Sequence, residues 1–445
     1  MKKIMSAMMV IVCGLLMGSV VHGSQETELM GSVVHGSRET ELMADSYDVN
    51  GYSIACYENN KIVFENYGDG IDERSVFELA SNGKVISAYV ALKLVDEGKL
   101  ELEDKIAPFL DDSMITDDKR IYDITLRQLL CHTAGFSASF ELGLDKKLYS
   151  NPGDQFRYSG VGYIYLQNVI ENASGMTIEE AADCYVFEPL GMNNSTFEHA
   201  KTVTPYMRLS SAATYTCTVF LIVFIVLLLI AFAIGKMTKL RFFSFKGILP
   251  VCFLIAGIVN TLFLLHIVSK VVVIFGLYFA LMGFILFLVR KNTKVFYAVI
   301  PFAVIFVFAF GFTVPVSIPV TNDIVAKTPN CAYTLKSTSE DMAAFCQELM
   351  KQYHNHDGAV KELFSAAVKI DAENSWGTGI AIESENQGET YWHSGINPGF
   401  QSLFVLYPLR DKYVIILTNS DNGLQFSKEV AQDFLQIDGR WDIPR

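Results

Sequence analysis

The chain holds 445 residues, with 48 acidic against 35 basic side chains, a formal charge of −13, and 51% hydrophobic residues. The carboxylate excess speaks against nucleic acid as a partner and against simple electrostatic capture of anionic polymers. The length allows one sizeable domain plus a small helical bundle, and the mean hydropathy of +0.29 comes largely from one central stretch.

At the N-terminus, Lys2 and Lys3 precede an apolar run from Ile4 to Met17 and then small residues to Gly23, the pattern of a secretory signal cleaved after Gly23. Val20 and Val21 prolong the run, so an uncleaved anchor over residues 1–23 is the alternative reading. Residues 17–29 recur as 30–42 with Arg38 in place of Gln25. Two copies cannot build a solenoid, and 24–45 reads as a duplicated linker. Gly51 to Glu58 and Lys61 to Tyr67 then alternate as strands, with Asn59-Asn60 as the hairpin turn.

Phe77-Glu78-Leu79-Ala80 runs into Ser81-Asn82-Gly83-Lys84, and Val85, Ile86, Ala88, Tyr89, Ala91, Leu92 and Val95 continue as an apolar helix ended by Gly98. The plain reading makes Ser81 an ordinary N-cap. The chemical reading is that a serine hydroxyl and a lysine amine three positions apart share one helix face, so the amine can take the hydroxyl proton. Free N–H groups at the helix start favour developing negative charge, and burial would lower the pKa of Lys84.

Helical patterns dominate from Lys84 to Val186, then four apolar runs follow: Thr216 to Ile234, Ile248 to Val268, Val271 to Val289 and Val295 to Val314. Each is near the roughly 20 residues that span a bilayer. Lys236, Lys239, Arg241 and Lys246 separate the first pair, and Arg290, Lys291 and Lys294 the last, so both basic loops are expected in the cytoplasm. The flanking halves are then expected together outside the membrane.

Beyond the insert, Ser339 to Tyr353 reads as a helix, Gly377 to Glu383, Thr390 to His393, Gln401 to Tyr407 and Lys412 to Thr418 as strands, and Phe426 to Leu435 as a closing helix. The pattern predicts an α+β fold, an antiparallel sheet built from both ends of the chain with helices against it. His354 and His356 stand alone in a polar stretch, too little for a metal site, and Cys56, Cys131, Cys184, Cys331 and Cys346 lack the spacing of a zinc site or a disulfide scaffold. No cofactor or metal is expected.

Several segments in order resemble the serine β-lactamase and penicillin-binding-protein superfamily, in the branch of class C β-lactamases, D-peptidases and esterases. They are Phe77 to Lys84; Leu94 to Leu100 with Leu102 and Asp104; Ile124 to Gly135, which includes Leu129-Leu130-Cys131-His132-Thr133-Ala134-Gly135; Pro152-Gly153 with Phe156, Tyr158 and Ser159; Pro189 to Met192; Ser337 to Met342; and His393-Ser394-Gly395 with Pro398-Gly399-Phe400. The resemblance implies a β-lactamase/transpeptidase-like fold with Ser81 as acylated nucleophile, Lys84 as its proton partner and Tyr158 as second acid and base, active as a phenolate beside Lys84. It also implies that His393, where many relatives carry lysine, binds a substrate carboxylate or positions a hydroxyl, and that Ser394, Gly395 and Ile396 line the substrate, with the N–H groups of Ser81 and Ile396 as the oxyanion hole. Gly160 stands where the family's motif usually carries an asparagine that holds the substrate amide, which shifts the expectation toward peptidase or esterase relatives.

The domains expected are a hydrolase in two parts, 46–211 and 323–445, interrupted by a four-helix transmembrane insert at 212–322. The expected function is a multi-pass membrane hydrolase, extracytoplasmic, acting through an acyl-enzyme on a peptide or small acyl substrate. The alternatives are a penicillin-binding receptor or sensor acylated at Ser81 without turnover, and a binding protein without catalysis.

Overall fold

The computed structural model describes residues 37–138, 146–208 and 328–443, with 220, 223–227, 229–230, 245–267, 270–289 and 317–319 between them. The expected signal lies outside the described residues. Part of the expected linker is structural: Ser37–Ser46 forms a helix (α1) that buries Thr40 and Ala44.

The hairpin forms as read, with Tyr52–Glu58 (β1) and Lys61–Tyr67 (β2) joined through Asn59 and Asn60, both at positive φ as the tight hairpin turn requires. A short strand, Phe77–Ala80 (β3), leads to the helix Gly83–Asp96 (α2), and Leu126–Leu130 (α3), Gly160–Ser174 (α4) and Ile178–Ala182 (α5) follow. The expected helical dominance up to Val186 is thus overstated, because short 3-10 turns and extended loops fill the ground between α2 and α4. Tyr206–Arg208 (β4) pairs with Ser317–Pro319 (β5) at the two ends of the central insert. After it come Leu335–Ser337 (β6), the helix Ser339–Asn355, and the strands Val368–Lys369 (β7), Asn374–Trp376 (β8), Ala381–Glu385 (β9), Gly388–Asn397 (β10), Phe400–Tyr407 (β11) and Lys412–Thr418 (β12). The strand expected from Gly377 begins only at Ala381, since Gly377 and Gly379 form a turn before it.

Eight strands make one antiparallel sheet in the order β2-β1-β12-β11-β10-β9-β8-β7. The first hairpin and the last strand meet in register, Tyr52 opposite Thr418 and Tyr57 opposite Tyr413, so the ends of the hydrolase segments lie side by side. Both faces of the sheet are covered. Leu403, Val405, Val414 and Ile416 pack with Phe426, Val430 and Phe434 of the helix Gly423–Leu435, while Phe404, Leu406, Ile415 and Leu417 pack toward α2, α4 and the helix Ser339–Asn355. That arrangement explains why the strands read as continuous apolar runs and why α2 is buried nearly all round.

The four expected membrane spans are not carried by the structure: among the described residues no helix is long and apolar enough to cross a membrane. Two of the runs are represented by the helices Phe245–Ile267 (α6) and Lys270–Val289 (α7), which meet where Gly257 faces Ala280 and Gly283 faces Leu254. The run from Val295 to Val314 and most of that from Thr216 to Ile234 lie outside the described residues.

Candidate active site

The nucleophile candidate stands on a strained corner. The ladder between β3 and β6 is irregular between Glu78 and Ala80, and Ala80 takes φ 48°, a left-handed backbone that a side chain tolerates only where its surroundings over-determine it. This turn ends the strand and leaves Ser81 partly exposed ahead of α2, whose N-cap is Asn82 and not Ser81. Asn82 is buried and uses its amide to hold the corner to the sheet, donating to Ser402 Oγ at 2.9 Å, while Ser402 Oγ donates to the Leu79 carbonyl at 3.1 Å.

Lys84 is the second residue of the buried helix and is 2% exposed. Its Nζ donates to Ser81 Oγ at 2.9 Å and to the Ala332 carbonyl at 2.5 Å. Burial penalises the ammonium and brings its pKa down to about 7, with Cys331 a smaller opposing influence. A sizeable share of the amine is therefore neutral at neutral pH, in contact with the hydroxyl it would deprotonate.

Tyr158 comes from the loop before α4, near enough to Ser81 for that side chain to act on its pKa. Lys84 Nζ sits 5.2 Å from the centre of the Tyr158 ring. Burial pushes the phenol well above its usual value, with Ser81 a weaker opposing effect. The expected phenolate is thereby corrected: at neutral pH Tyr158 holds its proton, because desolvation outweighs what the neighbouring groups return.

His393 on β10 is fully buried, which corrects its expected role as a carboxylate binder. Desolvation, then the Lys84 charge, hold its pKa down to about 3, so the ring is neutral. Nδ1 bonds the Ser394 carbonyl at 2.8 Å and therefore carries the proton, which leaves Nε2 to accept from the Tyr158 hydroxyl 3.4 Å away. With both nitrogens engaged, His393 positions a hydroxyl and offers no charge to a substrate.

The last pair between β10 and β9 is Trp392 with Ala381, so His393 to Asn397 run on beyond the β9 ladder, beside β3. Gly395 makes that approach feasible, since a Cβ there would lie 2.0 Å from the Leu79 carbonyl oxygen. Ser394 is buried and the Ile396 side chain is 57% exposed at the rim. Asn397 ties the strand end down, donating to Glu78 Oε2 at 2.8 Å and to the Tyr333 carbonyl at 3.1 Å. Gly160 is the first residue of α4, buried, with its N–H on the Ala138 carbonyl at 2.8 Å.

Ser81 and Lys84, Tyr158, and His393 thus meet from three separate stretches of fold. Two participants carried no assigned role in the sequence reading. The Ala332 carbonyl is a backbone group 248 residues from the amine it holds, which no side-chain pattern reveals. His132 sits inside a run already noted for resemblance, and its burial under Tyr158 was invisible there. Among the described residues no cluster could hold a metal ion, and Cys56, Cys131, Cys184, Cys252, Cys331 and Cys346 are free thiols.

Residues 36–215 match the family model described as Beta-lactamase. Protein flp of Staphylococcus aureus is 26% identical over 176 residues, 34% of this chain and 35% of that protein, and Penicillin-binding protein 4 of Amycolatopsis lactamdurans is 26% identical over 149 residues, 30% and 39%. The matched part is therefore little more than a third of either relative's length. The solved structure of a beta-lactamase/D-alanine carboxypeptidase from Pseudomonas syringae superposes with a TM-score of 0.57 at 14% identity, covering 91% of this chain and 98% of that one, a likeness of fold alone. By sequence the chain is thus similar to the β-lactamase family over residues 36–215, and in fold it is similar to a solved β-lactamase/D-alanine carboxypeptidase.

Proposed function

We propose that this protein is a serine hydrolase that works through an acyl-enzyme at Ser81. The observation that carries the reading is the 2.9 Å contact between Ser81 Oγ and a buried Lys84 amine whose pKa is brought down to about 7. Neutral Lys84 takes the Ser81 proton as Oγ attacks the acyl carbon, and the protonated Tyr158 hydroxyl donates to the departing amine or alkoxide. Lys84 then reprotonates Tyr158, and water enters by the reverse route. The N–H groups of Ser81 and Ile396 are assigned to the oxyanion.

The substrate class follows from His393. A neutral, fully engaged imidazole cannot pair with a free carboxylate, which favours esters, or D-amino-acid amides without a carboxylate at that subsite. The names of the relatives, a penicillin-binding protein and a D-alanine carboxypeptidase, agree with such acyl chemistry. Anchoring of the hydrolase outside a membrane by residues 212–322 belongs to this reading, on the strength of the four apolar runs and the basic residues between them.

The test is a parallel assay of the full-length protein against short-chain aryl esters, D-alanyl peptides and a chromogenic cephalosporin, with Ser81→Ala alongside. Turnover of at least one ester or amide, with covalent fluorophosphonate labelling lost in the alanine variant, is expected. Equal labelling of Ser81→Ala and wild type would overturn the assignment.

A further inference from the structure

His132 lies outside the reacting group, yet it grips the chain on both sides of Tyr158. Its carbonyl accepts the Arg157 N–H at 2.8 Å, and its ring Nδ1 accepts the Ser159 N–H at 3.1 Å. The same ring faces Tyr158, with centroids 4.4 Å apart, and is flanked by Tyr163 at 5.0 Å and Trp376 at 4.9 Å. To do this its backbone adopts φ 56°, in the left-handed region, and the side chain is 1% exposed. A buried, left-handed residue other than glycine persists only where several contacts require it.

We propose that His132 is the positioning residue of the reaction, fixing the Tyr158 hydroxyl between Ser81 and His393 by clamping the backbone of residues 157 and 159 and backing the phenol ring. The proposal rests on the acyl-enzyme reading above. The clamp works in one protonation state. Because Nδ1 accepts an N–H, the ring proton sits on Nε2, and a second proton would set N–H against N–H and break the bond to Ser159. Burial, and after it the Lys84 charge, keep the ring neutral, in agreement with that geometry. In acylation Tyr158 serves the leaving group, so a loosened Tyr158 penalises acylation by substrates whose leaving group needs a proton.

Three substitutions separate the parts of the clamp. His132→Asn keeps an acceptor near the Nδ1 position and tolerates positive φ, His132→Gln puts its carbonyl near the Nε2 position, and His132→Phe keeps the ring without the acceptor. Each full-length variant is compared with wild type on a p-nitrophenyl ester and on the alkyl ester of the same acid, and by the rate of fluorophosphonate labelling, with thermal melting as the control for folding. Phe and Gln are expected to lower kcat/KM, which reports acylation, for the alkyl ester by about 100-fold, the scale of a lost general acid, and for the p-nitrophenyl ester by less than about 10-fold. Labelling of Ser81 should persist, and Asn should restore most of the ratio between the two esters.

An equal loss on both esters, or none, would overturn the proposal, because a merely structural histidine lowers all rates together. If the Phe variant does not fold, the contrast between Asn and Gln decides by the same criterion. Failure of the wild-type protein itself to label at Ser81 would instead sink the acyl-enzyme reading.

Discussion

Lys84 shows how one buried cation sets both chemistry and cost. With its pKa brought down to about 7, the neutral form is scarce below that pH and saturates above it. The acylation rate is expected to rise with pH through an apparent pKa near 7 and then level off, as stopped-flow labelling across pH 5–9 would show; a flat profile would mean another base. The unfolded lysine titrates near its ordinary 10.5, so between about 7 and 10.5 the unfolded state binds more protons and stability increases with pH. Lys84→Met should therefore stabilise the fold most at and below pH 7, by several kcal/mol, with the gain fading toward pH 10.5; denaturant melts at both ends check it. His393 works at the acid side. Its folded pKa near 3 lies below the unfolded 6.5, so stability is present above 6.5 and is lost as pH falls toward 3, at up to about 1.4 kcal/mol per pH unit. His393→Gln should flatten that acid slope in melts between pH 6.5 and 4.

At the scale of elements, the site depends on two close approaches. β10 reaches β3 because Gly395 has no Cβ, and the Leu79 carbonyl occupies the space one would need. Gly395→Ala should push the strand end, with the Ile396 N–H, away from Ser81 and slow acylation by about 100-fold or more, the usual loss when an oxyanion donor is removed. A variant that melts normally and labels at the wild-type rate would dissociate β10 from the oxyanion hole. The strained turn at Ala80 is the second device, since it ends β3 and presents Ser81 ahead of α2. The sequence pattern marked the helix and its apolar face. It misplaced the cap by one residue, because Asn82 turns its side chain to Ser402 and the sheet.

Across the whole molecule, β4 and β5 bear on how the insert joins the hydrolase. Arg208 pairs with Ser317, Arg208 N–H bonds Asp421, and Ser317 Oγ bonds Asp48, so the chain leaves and returns at one docked ladder. A hairpin turn can close such a pair at little entropic cost. Replacing residues 210–315 by a short Gly-rich turn should yield a protein that folds, labels at Ser81 and turns over esters at rates within a few-fold of the full chain. Labelling without turnover would show that the insert takes part in deacylation, and a product unable to fold would show that the insert packs on the hydrolase.

Local chemistry made much of this protein legible in its sequence. The hairpin at Asn59-Asn60, the β10 to β12 strands, the apolar helix after Ser81 and the pair Ser81 and Lys84 follow from periodicity, turn residues and spacing, all of which are short-range properties of a chain, while Tyr158 and His393 were singled out by the family resemblance. Only the tertiary structure decided the protonation states and the supports. That Tyr158 keeps its proton, that His393 is neutral and turned to a hydroxyl, that the Ala332 carbonyl holds Lys84 and that His132 backs Tyr158 depend on desolvation and on contacts between segments far apart in sequence. Desolvation is set by everything packed around a group, and a sequence pattern records only its neighbours along the chain.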